Sequence, residues 1–425
     1  MLKKMKLQKI LSNFQKLHPK EIDLSLDRIK NLCEKLGNPQ DKIKAISVVG
    51  TNGKNSTIQA AYAILKEASI KCNVYTSPHI QKINERFVFN NQELNDNELA
   101  DLFEKVENIN DNQNITVFEM LTACFFYKAA QYPDNINLVE TGLFHRFDAC
   151  NILKTNLASL VCSISNDHLD WLPKDKQTLE QIVFEKTSAL LNSNIIVAKQ
   201  NNIETLECIK KTIKNNASNK LFFNEDFSYS IKENGFFYYE DQFGGLKLPL
   251  PNVLGQFQLE NISTAIATLR TLDLRIKAEH IERGIQKINN LARLQEIKSG
   301  KLKELINSNK FLVSGDHNPD GARVLNEYLQ SLDCNKHVII GMMSNKQHEE
   351  YISYFKDISS ITTIDIPNQI NAISGLELKD KFKNQPNVQY QASIEEAIKS
   401  IPLKENDLLL ITGSLYLAGE VLNLN

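Results

Sequence analysis

Ile46-Ser47-Val48-Val49-Gly50-Thr51-Asn52-Gly53-Lys54-Asn55-Ser56-Thr57 is the stretch on which the reading of this chain turns. An apolar, β-branched run enters a Gly/Asn turn, and a helix-forming segment from Ile58 to Ala68 follows, which predicts strand, loop, helix. Gly50 and Gly53 let the backbone turn tightly and aim its N–H groups at one point. The unpaired N–H groups that open the next helix face the same point, an arrangement suited to a polyphosphate. Lys54 adds a mobile positive charge, and Ser56 or Thr57 can offer a hydroxyl to phosphate or Mg²⁺. The plainer reading is an ordinary strand-to-helix turn that contains a lysine. Gly-Lys with a Ser close behind, after a buried-type strand, favours phosphate.

Composition bounds what surrounds this loop. A chain of 425 residues is too long for one compact domain, so two or three are expected. Lys and Arg number 49 against 51 Asp and Glu, a net charge of −2, which argues against a nucleic-acid surface. Seven scattered cysteines form no CxxC pair, so neither a disulfide framework nor a zinc ribbon is expected. Polar residues break up the basic N-terminus where a signal peptide would need an apolar core. No run approaches the ~20 apolar residues of a membrane span. The expectation is a cytoplasmic protein with no membrane and no nucleic-acid partner, and a monomer.

Working outward, apolar residues at helical spacing predict a helix over Lys6 to Leu17. A second helix ends near Gly37, and Asp23 or Ser25 reads as its cap. Strands are expected at 72–76, 137–139, 160–164 and 194–198, with a polar loop over 90–97. Helices are expected over 96–106 and 116–127. The aromatic-rich stretch 222–249 reads as hairpins around Gly235, Gly244 and Gly245, and an apolar helix runs to Leu269. Strands at 311–314, 338–341, 361–366 and 408–412 alternate with helical segments and predict a parallel sheet. Ser393 with Glu396 reads as a capping box.

The loop spacing departs from the standard nucleotide loop, which has four residues between its glycines and Ser or Thr directly after Lys. It resembles instead the GTNGKGS loop of the folate branch of the Mur ligase superfamily, with Asn55, a residue tolerant of unusual backbone angles, in place of a glycine. Further motifs follow in that family's order. Residues 22–28 (IDLSLDR) resemble IDLGLDR, with Ser25 for glycine. Ser77-Pro78-His79 and Asn84-Glu85-Arg86 resemble SPHL and NERI, and Thr116-Val117-Phe118-Glu119 matches TxFE. Residues 140–151 keep Glu140, Gly142, Arg146, Asp148 and Asn151 of EVGLGGRLDATN but carry Phe144 and His145 for two glycines. Asp167-His168-Leu169 and Glu185-Lys186 match DHxxWLG and EKAGI. Gly255 to Asn261 resembles GxHQxxN, Arg293 keeps the arginine of GRxE, and residues 313–319 (VSGDHNP) resemble LDGAHNP. GMMSNKQ over 341–347 lacks two acids of GxxxDKD, at Asn345 and Gln347, and Thr412 to Leu415 matches the terminal TGSL.

The resemblance implies an α/β protein with an N-terminal P-loop ATPase domain of Mur-ligase type (1–294) and a smaller C-terminal Rossmann-like domain (295–425). Its active site would lie between the two. ATP would meet Gly50, Thr51, Asn52, Gly53, Lys54, Asn55, Ser56 and Thr57, with Asn261 at the adenine end, Arg293 at the hinge, and Ser314 and Asp316 in the second domain. The acceptor would meet Asp23, Leu24, Ser25 and Leu26, then Thr116, Val117, Phe118 and Glu119, then Arg146, Phe147 and Asp148. Mg²⁺ would be held by Ser77, Glu140 and His168, and a second monovalent or divalent cation by Lys186 if carbamylated. Lys54, Lys186 and His317 are the catalytic candidates. Ser314 stands where the family has an acid, and Asp316 can reach the same volume if the turn bends around Gly315. The implied reaction activates a carboxylate with ATP as an acyl phosphate and joins L-glutamate to dihydropteroate or to a reduced folate. Two alternatives stay open: a Mur ligase with a cell-wall nucleotide substrate, and a weakened paralogue that only binds nucleotide or folate.

Overall fold

A computed structural model describes residues 2–18, 20, 23–233, 235–306, 308–382 and 387–425. Ile22, the first residue of the IDLSLDR string, lies outside the described residues. Two compact units are present: Met1–Asn252 with Leu259–Ile288, and Val253–Gln258 with Asn289–Asn425.

The first unit is built on an eight-stranded sheet. Its strands are β1 (Lys44–Val49), β2 (Cys72–Tyr75), β3 (Phe87–Phe89), β4 (Gln92–Glu93), β5 (Ile136–Glu140), β6 (Ala158–Val161), β7 (Asn194–Val197) and β8 (Lys220–Phe222). Their order is β4-β3-β2-β5-β1-β6-β7-β8, with only the β2–β3 and β3–β4 pairs antiparallel. Every residue of β1 after Lys44 is buried, as expected of a parallel strand covered on both faces. One face packs into an aromatic core in which Phe103 meets Phe14 and Phe87 at 5.5 Å each. Phe14 is how the first helix, Leu2–Leu17, is anchored. A separate antiparallel sheet follows, of β9 (Phe227–Glu233), β10 (Phe236–Asp241) and β11 (Leu246–Pro249), the hairpins expected from the aromatic alternation.

At the N-terminal ends of the central strands a group of amides is buried. Asn73 on β2 donates to Asn137 on β5 (2.8 Å) and accepts from Asn135 (3.0 Å) and the Asn90 N–H (2.9 Å). Asn137 donates in turn to the Lys44 carbonyl that opens β1. Buried amides this well paired satisfy their own desolvation and admit one strand register.

The second unit has a six-stranded sheet of β12 (Gln295–Glu296), β13 (Lys310–Val313), β14 (Lys336–Ile340), β15 (Ser360–Ile364), β16 (Val388–Gln391) and β17 (Leu408–Thr412). The order is β12-β13-β17-β14-β15-β16, parallel except for β12 against β13.

Several local expectations need correction. The helix Asp27–Lys35 is capped by Leu26 with no side-chain bond; Asp23 turns instead to Arg28, and Ser25 Oγ accepts only from the Asp27 N–H. Asn55 lies in the first turn of the helix Lys54–Glu67 and is absent from the left-handed residues, so its tolerance of unusual angles is not used. Ser393 accepts from the Glu396 N–H, which is one half of a capping box. Residues 92–93, in the expected polar loop, pair with β3. Strands as short as β3, β4 and β12 leave too few residues for period-two alternation to register.

The helix Lys54–Glu67 packs closely against the helix Ala278–Ile285. A Cβ at Gly284 would come within 2.7 Å of Ile64 Cα and 2.9 Å of Ile64 N, backbone atoms that cannot swing aside. Gly284→Ala should therefore destabilise the protein by roughly 1–3 kcal/mol, read as a lowered urea midpoint. An unchanged midpoint would mean the two helices have room to spare.

Candidate active site

The chain leaves β1 through Gly50 (φ +149°) and enters the next helix through Gly53 (φ +86°), its N-cap. A Cβ at Gly50 would meet Cys162 Cβ at 2.8 Å, so that position needs glycine for space as well as for angle; one at Gly53 would meet Asn261 Oδ1 at 2.5 Å, a side-chain end that can turn away, so there the positive φ decides. Asn261, expected at the adenine end, thus also packs on the loop. Thr51 and Asn52 N–H groups donate to the Ser163 carbonyl, and Thr51 Oγ1 bonds Ser165, which ties the loop to the segment after β6. Lys54 Nζ folds back onto the carbonyls of Gly50 (3.1 Å) and Thr51 (3.3 Å) and lies 4.0 Å from Glu140 Oε1. Thr57 Oγ1 donates to Gly53 O within its own helix, and both Ser56 and Thr57 are buried.

Glu140 ends β5, buried, and its Oε2 accepts the Ser77 N–H at 3.1 Å just past β2. His168, left-handed at φ +58°, follows β6, with Nε2 3.7 Å from Asp167 Oδ2. Among the described residues no three His, Cys, Asp or Glu side chains gather as a metal cage. A carboxylate and a serine beside a phosphate loop nonetheless fit Mg²⁺, which usually takes one or two protein oxygens and fills its sphere with phosphate and water. Lys186, nearly fully buried, donates to Gly50 O (3.0 Å) and Leu143 O (2.8 Å). Burial, and then the charge of Lys54, pushes its pKa down to about 7.

Phe144 and His145, which replace two glycines of the resembled motif, point inward. Phe144 joins a second buried cluster, with Val161, Ile164 and Val183, its ring 5.6 Å from Lys186 Nζ. His145 is held neutral by burial, its pKa down to about 4.

The acceptor segments are joined by a residue that sequence reading left out of the site. Arg28 Nε donates to Glu119 Oε2 (3.0 Å), while its other nitrogens reach Asp23 Oδ2 (3.2 Å) and Asp23 O (2.8 Å). Glu119 Oε2 also closes a capping box with Thr116, whereas buried Oε1 has no partner. The arginine stood inside the IDLSLDR string, but nothing local named its partner 91 residues away. Arg146 spends its fork on Glu185 (2.8 and 2.6 Å) and stacks on Phe147, 4.2 Å from the ring centre. Asp148 accepts from the Gly142 and Cys150 N–H groups, and burial raises its pKa to about 6 against those bonds. Phe118 lies against Gly142, where a Cβ would be 3.1 Å from Cζ. Glu85 orders the loop before β3 by accepting three N–H groups, from Ile80, Gln81 and Lys82.

In the second unit the candidates lie at the C-terminal edge of the parallel strands, where open α/β sheets bind ligands. Ser314 Oγ donates to the Asp316 carboxylate, which joins the two residues that differ from the resembled motif. The Asp316 carbonyl accepts from Tyr351 Oη and the Gly413 N–H, each at 3.1 Å. His317 Nδ1 donates to Gly315 O (2.9 Å), and Asn318 caps the helix Pro319–Gln330.

Two α/β units, a glycine loop of this spacing and a parallel C-terminal sheet give the two-domain architecture of the Mur-type ligases, ATP-dependent enzymes that join an acid to an amino acid. Residues 300–415 match the Mur ligase, glutamate ligase domain. Over nearly its whole length the chain resembles the dihydrofolate synthase/folylpolyglutamate synthases. It is 28% identical to that of Haemophilus influenzae, covering 96% of this chain and 95% of the relative, and 28% identical to that of Escherichia coli, covering 97% and 94%. The solved structure of E. coli FolC in complex with DHPP and ADP aligns with a TM-score of 0.86 at 26% identity, covering 98% of this chain and 97% of that one. A Yersinia pestis folylpolyglutamate synthase/dihydrofolate synthase complexed with AMPPNP and Mn, 24% identical with a TM-score of 0.86 and covering 98% of this chain and 97% of that one, shares the fold. No described helix is long and apolar enough to cross a membrane.

Lys54→Ala removes the mobile cation without touching a core residue, so turnover should fall at least a hundredfold while the melting temperature holds. Near-normal turnover at saturating ATP would show the loop to be misread. A second prediction concerns His79, whose pKa burial, followed by the neighbouring Arg86, lowers to about 4 while its Nδ1 accepts from Arg86 Nε at 3.0 Å. The unfolded chain takes up a proton there as pH falls from about 6.5 to 4 and the folded chain does not. The parent should lose stability relative to His79→Asn over that window. An equal difference in denaturation free energy at pH 7 and near pH 4.5 would contradict this.

Proposed function

We propose that this chain joins L-glutamate to dihydropteroate, and to the glutamate tail of reduced folates, with ATP as the activating substrate. The observation that supports it most is the Gly50–Gly53 loop heading a helix, with Lys54 4.0 Å from buried Glu140. The acceptor class follows the names of the relatives and the pairing of two folate-type segments through Arg28 and Glu119.

A carboxylate is a poor electrophile because oxide is a poor leaving group. Transfer of the γ-phosphoryl group of ATP to it gives an acyl phosphate, and attack by the glutamate amine then releases phosphate and leaves an amide and ADP. The protein has little covalent chemistry to do, so positioning and charge neutralisation dominate. With the Thr51 and Asn52 N–H groups held by Ser163, the N–H groups that open the helix from Gly53 onward bind the β and γ oxygens. Lys54 exchanges two neutral carbonyl partners for phosphate oxygens, a stronger, charge-assisted bond. Mg²⁺ on Glu140, Ser77 and His168 would neutralise those oxygens further. Lys186, whose pKa burial lowers to about 7, has the free amine that carbamylation requires, and the carbamate, with one N–H left, would give up one of the two carbonyl bonds and serve a second cation. Arg293 and His317 are assigned to the phosphates by resemblance. Arg28 and Glu119 hold the acceptor segments in register with each other.

ADP release should depend on glutamate and on a folate-type acid, tested with dihydropteroate and with a reduced folate against a UDP-linked cell-wall acid. ATP hydrolysis indifferent to glutamate, or turnover with the UDP-linked acid alone, would overturn the reading. Glu140→Ala should lower activity and move the Mg²⁺ requirement to higher concentration. Identical Mg²⁺ titrations for variant and parent would take Glu140 out of the metal site.

A further inference from the structure

The turn that carries Arg293 is held in a conformation its residues do not favour. Ala292 (φ +53°) and Leu294 (φ +52°), both buried, flank the arginine in the left-handed region that residues other than glycine avoid. Each is pinned from outside. The Ala292 N–H donates to Gln295 Oε1 at 2.9 Å, and the backbone of Gln295 is fixed in β12 opposite Val313. The Gly315 N–H donates to Ala292 O at 2.8 Å. The Leu294 N–H donates to Ser314 Oγ at 3.3 Å, and that hydroxyl donates onward to the Asp316 carboxylate. Ser314 is thus the middle of a relay from the turn to a partly buried acid.

The arginine between these residues makes one hydrogen bond, Nη1 to Ala292 O at 3.1 Å. Among the described residues no carboxylate lies within ion-pair distance of it. Its Nη1 lies against Gly315, where a Cβ would come within 3.2 Å. A guanidinium has five donors in a fixed fork, so most of these are unspent. Over-determined backbone strain around a side chain with unused binding capacity is the pattern of a preorganised site. We propose that Gln295, Ser314 and Asp316 are positioning residues that hold the 292–294 turn left-handed, so that Arg293 presents its free donors to a phosphate oxygen of the nucleotide. This rests on the ligase reading above for the identity of the anion.

The test uses glycine's indifference to the sign of φ. Gln295→Ala should lower kcat/KM for ATP about tenfold and weaken binding of a non-hydrolysable ATP analogue similarly, with the KM for the folate acceptor unchanged. Ala292→Gly added to Gln295→Ala should restore both values to within about threefold, because the turn then needs no outside hold at that residue. Gln295→Glu keeps an acceptor oxygen and should match the parent. Asp316→Ala, which removes the acceptor of the Ser314 hydroxyl, should lower both values as Gln295→Ala does. Silence of Gln295→Ala, or a loss that Ala292→Gly leaves in place although the protein melts normally, overturns the proposal. If the parent binds the analogue without glutamate-dependent turnover, the ligase reading fails while analogue binding still decides the turn. A parent that binds no analogue sinks both.

Discussion

A single buried amine ties together the loops that follow β1 and β5 in the first unit. Lys186 reaches from the helix Leu179–Thr187 to the carbonyl of Gly50 and to that of Leu143. Those two carbonyls belong to the phosphate loop after β1 and to the long loop after β5, segments with different neighbours in the sheet. Removing an amine from water costs several kcal/mol unless its hydrogens are accepted, so the two carbonyls and the lysine require one another. The other loop contacts follow from that fixed point. Thr51 and Asn52 lean on Ser163 on one side, and Asp148 organises the backbone of 142 and 150 on the other.

How much of this was legible depends on whether the signal is local. The glycine loop was, because a left-handed N-cap permits few residues. The parallel sheets were, because strands buried on both faces read as unbroken apolar runs. Arg28 was not singled out: its chemistry depends on Glu119, which no spacing rule connects to it. Lys186 was flagged by resemblance, but its two carbonyl partners come from backbone, which sequence leaves unmarked. The caps at Asp23 and Ser25 misled because a short polar side chain before a helix signals a cap whether or not an arginine claims it first. The turn at 292–294 was marked only at Ala292, which stands for the glycine of GRxE; Leu294 does not announce a positive φ.

The departures from the resembled motifs fall into two kinds. Phe144 and His145 replace glycines and are absorbed by the interior, where Phe144 packs with Val161, Ile164 and Val183. Ser314 and Asp316 replace an acid and an alanine and are absorbed by each other through one hydrogen bond. Phe144 is answered by side chains from other segments of the unit, and Ser314 and Asp316 are answered within their own loop. A chain drifting out of function would have no reason to keep its replacements paired.

The buried amides of Asn73 and Asn137 lie at the opposite end of the sheet from the chemistry, yet they set its alignment. Strands made of apolar side chains on both faces have little to prefer one pairing over the next, whereas an amide pair fits in one register only. Asn73 opposite Asn137 brings Tyr75 opposite Val139, and the chain then delivers Ser77 to the carboxylate of Glu140. A slip of one residue would carry the serine about 3.3 Å along the strand and turn alternate side chains to the wrong face. The sheet in this sense works as a ruler whose zero mark is cut into polar residues at one end, so that tolerance at the other end is finer than the apolar strands between could provide.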